Sequence, residues 1–270
     1  MSRDGIWTSW LLYGLAGSGK SAFGVSSFWD WQQRKVIGKG RWITIGRENN
    51  PALMVPASFR KAGNVSLRLR APALDDTTWL KDFEEVMTAL LSMAKAGEHL
   101  DGLVFDGWSE FDLLFENTFV GSGADRNIKK FEALLNNAFA IASMLDPEEL
   151  GCHVFTTARV MERRKQHVNP KTGTTMGEAD PEYMSDYYPA FRGKFRYDMP
   201  NYHNMVMYME LKEGHPPTHL MHMLKTGDYL IKNSWEHAWK AANLPEAIEN
   251  PTFPQVWHLL NSILETPEVK

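Results

Sequence analysis

The stretch Gly14-Leu15-Ala16-Gly17-Ser18-Gly19-Lys20-Ser21 matches the phosphate-binding pattern G-x-x-x-x-G-K-[ST] at every fixed position. Its glycines allow the backbone to curl, so that successive N–H groups point at phosphate oxygens. In this pattern the lysine, here Lys20, reaches the β- and γ-phosphates, and the hydroxyl of Ser21 binds Mg²⁺. The stretch therefore predicts a site for ATP and Mg²⁺.

The residues on either side of this loop supply the context that the motif requires. Residues 7–13 are an aromatic and branched run typical of a buried strand, and residues 19–35 suit a helix. A chance glycine-rich turn would explain neither neighbour. The predicted nucleotide-binding residues are Gly14, Ala16, Gly17, Ser18, Gly19, Lys20, Ser21 and Ala22.

Strand and helix patterns alternate through the first part of the chain and give way to strands later. Strands are predicted at residues 41–46, 65–70, 103–106 and 153–157, with helices at 79–96 and 128–145. Strand-like runs follow at 204–211, 218–224 and 229–231, and helical patches at 235–242 and 253–264. This order predicts an α/β fold, a mostly parallel sheet flanked by helices and extended by C-terminal antiparallel strands.

Composition excludes several classes of protein. The 270 residues are 43% hydrophobic and 23% charged, which is typical of a globular protein, and the net charge is −4. A nucleic-acid site must therefore be a local basic patch. One cysteine excludes an internal disulfide and fits a reducing compartment. The apolar stretch at residues 6–16 is shorter than the roughly 20 residues of a membrane span, so we expect a cytoplasmic location without membrane contact.

Further polar residues follow the other predicted strands. Asp106 ends an apolar strand, where a carboxylate can hold Mg²⁺ through a water molecule. Gly107 follows Asp106 and has no side chain that could act as a catalytic base, so a hydrolase needs its base elsewhere. We predict Glu48, since its strand should lie beside the first strand and bring it to the phosphate edge; the rival is Glu110. Thr157, on the next central strand, is a candidate γ-phosphate sensor.

These motifs together resemble the RecA-fold ATPases, and most of all the short phage-encoded members that act in single-strand annealing and recombination. The matching pieces are GLAGSGKS, ITIGRE, LVFDGWSEF, HVFTTAR and, later, YPAFRGKFRYDMPNYHNMVMYMEL and YLIKNSW. The resemblance implies ATP hydrolysis on single-stranded DNA by an oligomer with nucleotide between subunits, with single-strand-binding or recombination proteins as partners. It also implies that Lys232 reaches a neighbour's γ-phosphate, and a host-cell cytoplasmic location if the chain is phage-encoded.

A long polar segment is the candidate contact to DNA. Residues 160–195 show no sustained hydrophobic period, and we predict that they form a long, partly basic loop. This loop would belong to an ATPase core of residues 1–234. Residues 235–270 would be a short helical extension. Cations cluster where RecA-like proteins contact DNA, and residues 121–130 are a second basic candidate. The predicted DNA-contacting residues are Arg159, Arg163, Arg164, Lys165 and Lys171.

Three other kinds of protein fit the same loop. A small-molecule or nucleoside kinase would use Arg163 and Arg164 as a lid. A hexameric AAA-type motor would need a four-helix lid, for which residues 235–270 are too short. The last alternative is a nucleotide-gated binding protein with little turnover.

The base assignment predicts the behaviour of Glu48→Gln. The amide cannot accept a proton from water, so this variant should bind ATP as tightly as the parent protein but stop hydrolysing it. Binding and turnover are measured separately with the same preparation. Undiminished turnover would move the base to Glu110 or to another residue.

Overall fold

The structure is a computed structural model that describes residues 6–45, 66–69, 78–109, 111, 142–165, 184–191, 198–225 and 227–264. Its strands are β1 (Ser9–Gly14), β2 (Trp29–Asp30), β3 (Lys35–Val36), β4 (Gly40–Ile45), β5 (Ser66–Leu69), β6 (Gly102–Asp106), β7 (His153–Lys165), β8 (Met184–Pro189), β9 (Met205–Lys212), β10 (Thr218–His222), β11 (Lys232–Asn233) and β12 (Ala247–Glu249). Its helices are α1 (Lys20–Val25), α2 (Thr78–Lys95), α3 (Pro147–Leu150), α4 (Glu236–Ala241) and α5 (Phe253–Leu264).

One large sheet organises these elements, with the order β12-β10-β9-β1-β7-β6-β4-β5. The strands from β9 to β5 in this order are all parallel to their neighbours, and β10 and β12 extend the sheet in antiparallel fashion. Two further strands join it, since β11 pairs with β9 and β8 pairs with β7. The predicted α/β fold, with a mostly parallel sheet and C-terminal antiparallel strands, is confirmed.

Each face of the sheet carries its own apolar core, because successive side chains of a strand point to opposite faces. On one face, Trp10 of β1 and Phe155 of β7 pack with α1 and α5. The ring centroid of Phe253, at the start of α5, lies 4.9 Å from that of Phe155. On the other face, Phe105 of β6 packs against Phe83 of α2. Both faces of the central strands are thereby buried.

The helix after the phosphate loop is shorter than the pattern predicts. Helix was expected over residues 19–35, but α1 ends at Val25 and a two-stranded hairpin, β2–β3, follows. The hydroxyl of Ser26 donates to the carbonyl oxygen of Phe23, and that of Ser27 to the carbonyl oxygen of Gly24. Serine side chains that bond nearby backbone groups compete with helix continuation, which explains the early end.

The prediction of an irregular segment from residue 160 is wrong at both of its ends. β7 continues to Lys165 and pairs with β8 in antiparallel register, from Val160 opposite Pro189 to Lys165 opposite Met184. We call this two-stranded segment the β7–β8 ribbon. Backbone hydrogen bonds between the two strands make this segment regular, and a polar sequence can pair in this way without showing a hydrophobic period. Residues 166–183, between the two strands, lie outside the described part of the chain.

Described residues near the C-terminus, up to Leu264, belong to the same sheet and core. β12 pairs with β10, and Phe253, Val256 and Leu260 of α5 are buried on the α1 face. The backbone N–H of Phe253 donates to the Ser26 hydroxyl just after α1, over 2.7 Å. Among the described residues, no helix is both long and apolar enough to cross a membrane.

Two histidines, His153 and His203, are buried in neutral form. Burial lowers the pKa of His203 to about 4 and that of His153 to about 3, because the charged ring is poorly solvated there. The Nδ1 atom of His203 lies 3.1 Å from the carbonyl oxygen of Met199, and its Nε2 lies 3.2 Å from the hydroxyl of Thr156. A neutral ring satisfies both contacts by donating from Nδ1 and accepting at Nε2.

This burial predicts a loss of stability in acid. An unfolded histidine binds its proton near pH 6.5, whereas the folded chain does so only near pH 3 or 4, so protons favour the unfolded state between these values. The free energy of unfolding should fall by about 1.4 kcal/mol per pH unit per histidine in this window. Urea unfolding between pH 7.5 and 5 measures the slope. His203→Gln should lower it and His237→Gln, at an exposed site, should not; equal slopes in all three proteins would contradict the assignment.

Candidate nucleotide site

The phosphate loop connects the carboxyl end of β1 to the start of α1. Gly17 and Gly19 adopt φ values of 78° and 91°, in the left-handed region that glycine enters without strain. A Cβ atom on Gly14 would lie 2.1 Å from the carbonyl oxygen of Met209, so only glycine allows β9 to approach this closely. The glycines thus shape the loop as the motif requires.

The ammonium group of Lys20 lies over the loop itself. Its Nζ atom donates to the carbonyl oxygens of Leu15 at 2.7 Å and Gly14 at 3.0 Å, and lies 3.3 Å from the Ser18 hydroxyl. The positive charge is therefore held at the mouth of the loop. Gly19 caps α1 without a side-chain hydrogen bond, so the first N–H groups of the helix have no side-chain cap there. A cation and backbone donors at one place are the donor set that phosphate oxygens need.

Packing of α1 brings Ser21 and Asp106 to the same edge of the sheet. A Cβ atom on Gly24 would lie 3.0 Å from both Val104 Cγ2 and Phe155 Cβ, so α1 rests directly on β6 and β7. Ser21 lies one helical turn before Gly24, toward the loop, and Asp106 lies two residues after Val104, at the carboxyl end of β6. Both predicted Mg²⁺ residues therefore lie at the edge of the sheet that carries the phosphate loop.

The carboxylate of Asp106 is held by two neighbouring strands. The hydroxyl of Thr157 on β7 donates to Oδ1 over 2.5 Å, and the indole N–H of Trp42 on β4 donates to Oδ2 over 3.2 Å. The Thr157 hydroxyl also accepts the backbone N–H of Gly107 at 3.0 Å. The described hydrogen bonds of its side chain are with Asp106 and Gly107, so Thr157 orients the carboxylate, and its role as a γ-phosphate sensor stays a prediction.

These residues fit Mg²⁺ and a nucleoside triphosphate. Oxygen ligands suit Mg²⁺, and each oxygen of the Asp106 carboxylate keeps acceptor capacity beyond the hydrogen bonds described. Ser21 and Asp106 would hold the ion, and the loop with Lys20 would hold the phosphates. When bound, Mg²⁺ would neutralise charge on the β- and γ-phosphates. Lys20, Ser21 and Asp106 thus lie at one edge of the sheet, and their roles in binding nucleotide and Mg²⁺ stay a prediction.

For the other predicted residues, the structure contradicts one expectation and leaves several residues outside its described part. β4 lies beyond β7 and β6 and does not adjoin β1, so the expected neighbourhood of the Glu48 strand and the first strand is wrong. Glu48 and its rival Glu110 lie outside the described residues, as do Lys171 and residues 121–130.

Lys232 lies away from this chain's own phosphate loop. It pairs with Val206, and Val206 is level with Leu11 near the start of β1, whereas the loop follows the other end of that strand. Its Nζ donates to the carbonyl oxygen of Pro200 over 3.3 Å, and burial lowers the pKa of the ammonium group. Contact with a neighbour's nucleotide stays a prediction.

Arg159 begins the basic segment beside the phosphate loop. It is level with Gly14 in the β1–β7 ladder and is exposed, and its backbone N–H donates to the hydroxyl of Ser109 at 2.9 Å. Arg163, Arg164 and Lys165 lie further along β7, within the β7–β8 ribbon. DNA contact by these residues stays a prediction.

Sequence reasoning missed two residues at the site, Trp42 and His219. Trp42 lies two residues before the level of Asp106 on β4, and tryptophan in an apolar strand carries no signal of an indole N–H aimed at a carboxylate. His219, on β10, contacts Gly19 across the sheet edge. No local sequence pattern points to it, since strand pairing is needed to find its neighbour.

No known protein-family model and no curated protein sequence matches this chain. Solved structures do resemble it. A KaiC-like protein from the hyperthermophilic archaeon Pyrococcus horikoshii has a TM-score of 0.42 and 13% identity over 83% of each chain. The flagellar accessory protein FlaH from Methanocaldococcus jannaschii has a TM-score of 0.38 and 12% identity, over 91% of this chain and 87% of that one.

Similarity of this size carries no conclusion about function, and neither name concerns phages or strand annealing. The fold assignment rests on the chain's own architecture, a phosphate loop after the first parallel strand with Asp106 at the same sheet edge. This is the mostly parallel α/β arrangement with a phosphate loop that the motifs predicted.

The link between Thr157 and Asp106 predicts the effect of Thr157→Val. Valine keeps the shape but removes the hydroxyl, so Asp106 loses a donor and the Gly107 N–H loses its acceptor. The Mg²⁺ concentration needed for half-maximal ATP binding should rise about tenfold, since one such bond contributes about 1.4 kcal/mol. Thr157→Ser, which keeps the hydroxyl, should stay near the parent value. An unchanged Mg²⁺ requirement in Thr157→Val would contradict the positioning role.

Proposed function

We propose that this chain is a Mg²⁺-dependent ATPase of RecA-like fold that acts on single-stranded DNA as an oligomer, in recombination or annealing of the phage type. The observation that carries the proposal is the meeting of Lys20, Ser21 and Asp106 at one edge of a parallel sheet. Such an edge, at the carboxyl ends of parallel strands, is where α/β proteins bind nucleotides. Hydrolysis also needs a base, and Glu48 remains the proposed one.

The β7–β8 ribbon supports the DNA part of the proposal. Arg159 of β7 is paired with Gly14 at the start of the phosphate loop, and β7 continues for six more residues, about 20 Å at the usual rise of a strand. Three of those residues are Arg163, Arg164 and Lys165. Cations on an element that projects beyond a nucleotide site suit a phosphate backbone. Because β7 also carries Thr157, the same strand would connect DNA to the Mg²⁺ carboxylate.

The proposal of an oligomer rests on the resemblance of the motifs to those of RecA-fold ATPases. In those proteins the nucleotide lies between subunits. Lys232 would then serve a neighbour's site, which agrees with its distance from the loop of its own chain. Single-strand-binding or recombination proteins would be partners of the assembled form.

ATP turnover with and without single-stranded DNA tests the proposal, together with particle mass in the presence of nucleotide. We expect DNA to stimulate turnover and nucleotide to enlarge the particle. Lys20→Ala should abolish ATP binding and leave the fold intact, because the loop loses its cation. Turnover that ignores DNA and requires a small acceptor would indicate a kinase instead.

A double variant, Arg163→Ala with Arg164→Ala, tests the ribbon. It should weaken DNA binding and reduce the slope of log affinity against log salt by about 1.4, the value for two released counterions on a single strand. ATP affinity without DNA should not change. The matched control is Lys81→Ala with Lys240→Ala, which removes the same charge from two exposed helical positions. Equal effects of the two double variants would refute a specific role of the ribbon.

A further inference from the structure

The hairpin of β9 and β10 contacts the phosphate loop at both ends of the loop. At the first glycine, the carbonyl oxygen of Met209 blocks the space where a Gly14 side chain would stand. At the last glycine, a Cβ atom on Gly19 would lie 3.2 Å from Nδ1 and 3.3 Å from Cγ of His219. The imidazole ring of His219 is therefore in contact with the residue that immediately precedes Lys20.

The Nδ1 atom of His219 is buried and has no hydrogen-bond partner in the described part of the chain. The backbone beside it is well held, because its N–H donates to Oδ1 of Asn250 at 3.0 Å and its carbonyl oxygen accepts the Asn250 N–H at 2.6 Å. A buried polar atom without a partner is costly, so its presence beside a ligand loop calls for an explanation.

Leu211 lies directly opposite His219 in the β9–β10 ladder. The pair continues the face formed by Met209 and Met221, two residues or about 7 Å beyond them, past the end of β1. Leu211 is 39% exposed, which is high for a leucine on a face that is otherwise core. An exposed leucine and an imidazole ring thus stand side by side next to the phosphate loop.

The position of Asp106 sets the direction in which a bound nucleotide points. Ser21 and Asp106 would hold a bound Mg²⁺, which would neutralise charge on the β- and γ-phosphates, so the γ end of a triphosphate would lie toward Asp106. Asp106 is on the β7 side of β1, whereas β9 and β10 are on the opposite side. The ribose and base would then extend toward the β9–β10 hairpin.

We propose that Leu211 and His219 form the nucleoside subsite of the nucleotide site. Leu211 packs against the flat face of the base, and the His219 ring turns so that Nδ1 leaves the surface of Gly19 and makes a hydrogen bond to a polar atom of the nucleoside. This inference rests on the nucleotide-binding part of the proposed function and is independent of DNA and of turnover. It assigns His219 to nucleotide recognition and not to a metal.

The test compares two ligands, ATP and inorganic tripolyphosphate, each with Mg²⁺. His219→Ala should lower the affinity for ATP about tenfold, a typical loss for one hydrogen bond with its packing, and leave the affinity for tripolyphosphate unchanged. His219→Asn, which keeps a polar side-chain atom close to the position of Nδ1, should recover part of the ATP affinity. His222→Gln is the control, since this residue of the same strand points to the other face.

Equal losses for the two ligands in His219→Ala would overturn the proposal, because they would mean that the ring only shapes the loop. Unchanged ATP affinity would overturn it as well. If the unaltered protein bound neither ligand, the nucleotide site itself would fail, and this result is distinct from the other two. Thermal unfolding of each variant confirms that the compared proteins are folded.

Discussion

The parallel pairing of β1 with β7 is the constraint on which the rest of the site depends. It pairs Gly14 with Arg159, so the phosphate loop and the β7–β8 ribbon both start at the same edge of the sheet. Because β7 also pairs with β6, the hydroxyl of Thr157 reaches the carboxylate of Asp106. One strand thereby relates the phosphate loop, the carboxylate of Asp106 and the basic ribbon. A shift of this register by one residue would turn Thr157 to the opposite face and separate these groups.

The two cores make that register stable. Trp10 and Phe155 are buried between the sheet and the helices α1 and α5, and Phe105 is buried against α2 on the other face. Strands buried on both faces leave little room for slippage, since each alternative pairing would expose large apolar side chains. The chain can therefore place polar groups such as Asp106 and the Lys20 ammonium at the exposed carboxyl edge.

Local patterns predicted some elements well and others badly, for identifiable reasons. The boundaries of α2 and α5 follow from apolar residues at helical spacing, so sequence periodicity sufficed. It failed for α1, where serine hydroxyls near Ser26 bond the backbone and end the helix early. It failed again at Lys165, where partner strand β8 is needed to make a polar stretch regular. In both places the deciding interaction does not appear as a hydrophobic period.

The sequence specifies the phosphate loop, because the pattern G-x-x-x-x-G-K-[ST] has few other uses and acts through its own backbone. It also determined Asp106 as the carboxylate at a strand end. The strand order, which separates β4 from β1, and the neighbours of each site residue become apparent only in the folded chain. Trp42 beside Asp106 and His219 beside Gly19 come from strands distant in sequence. Contacts of that kind depend on how strands pair, and no local pattern encodes the pairing.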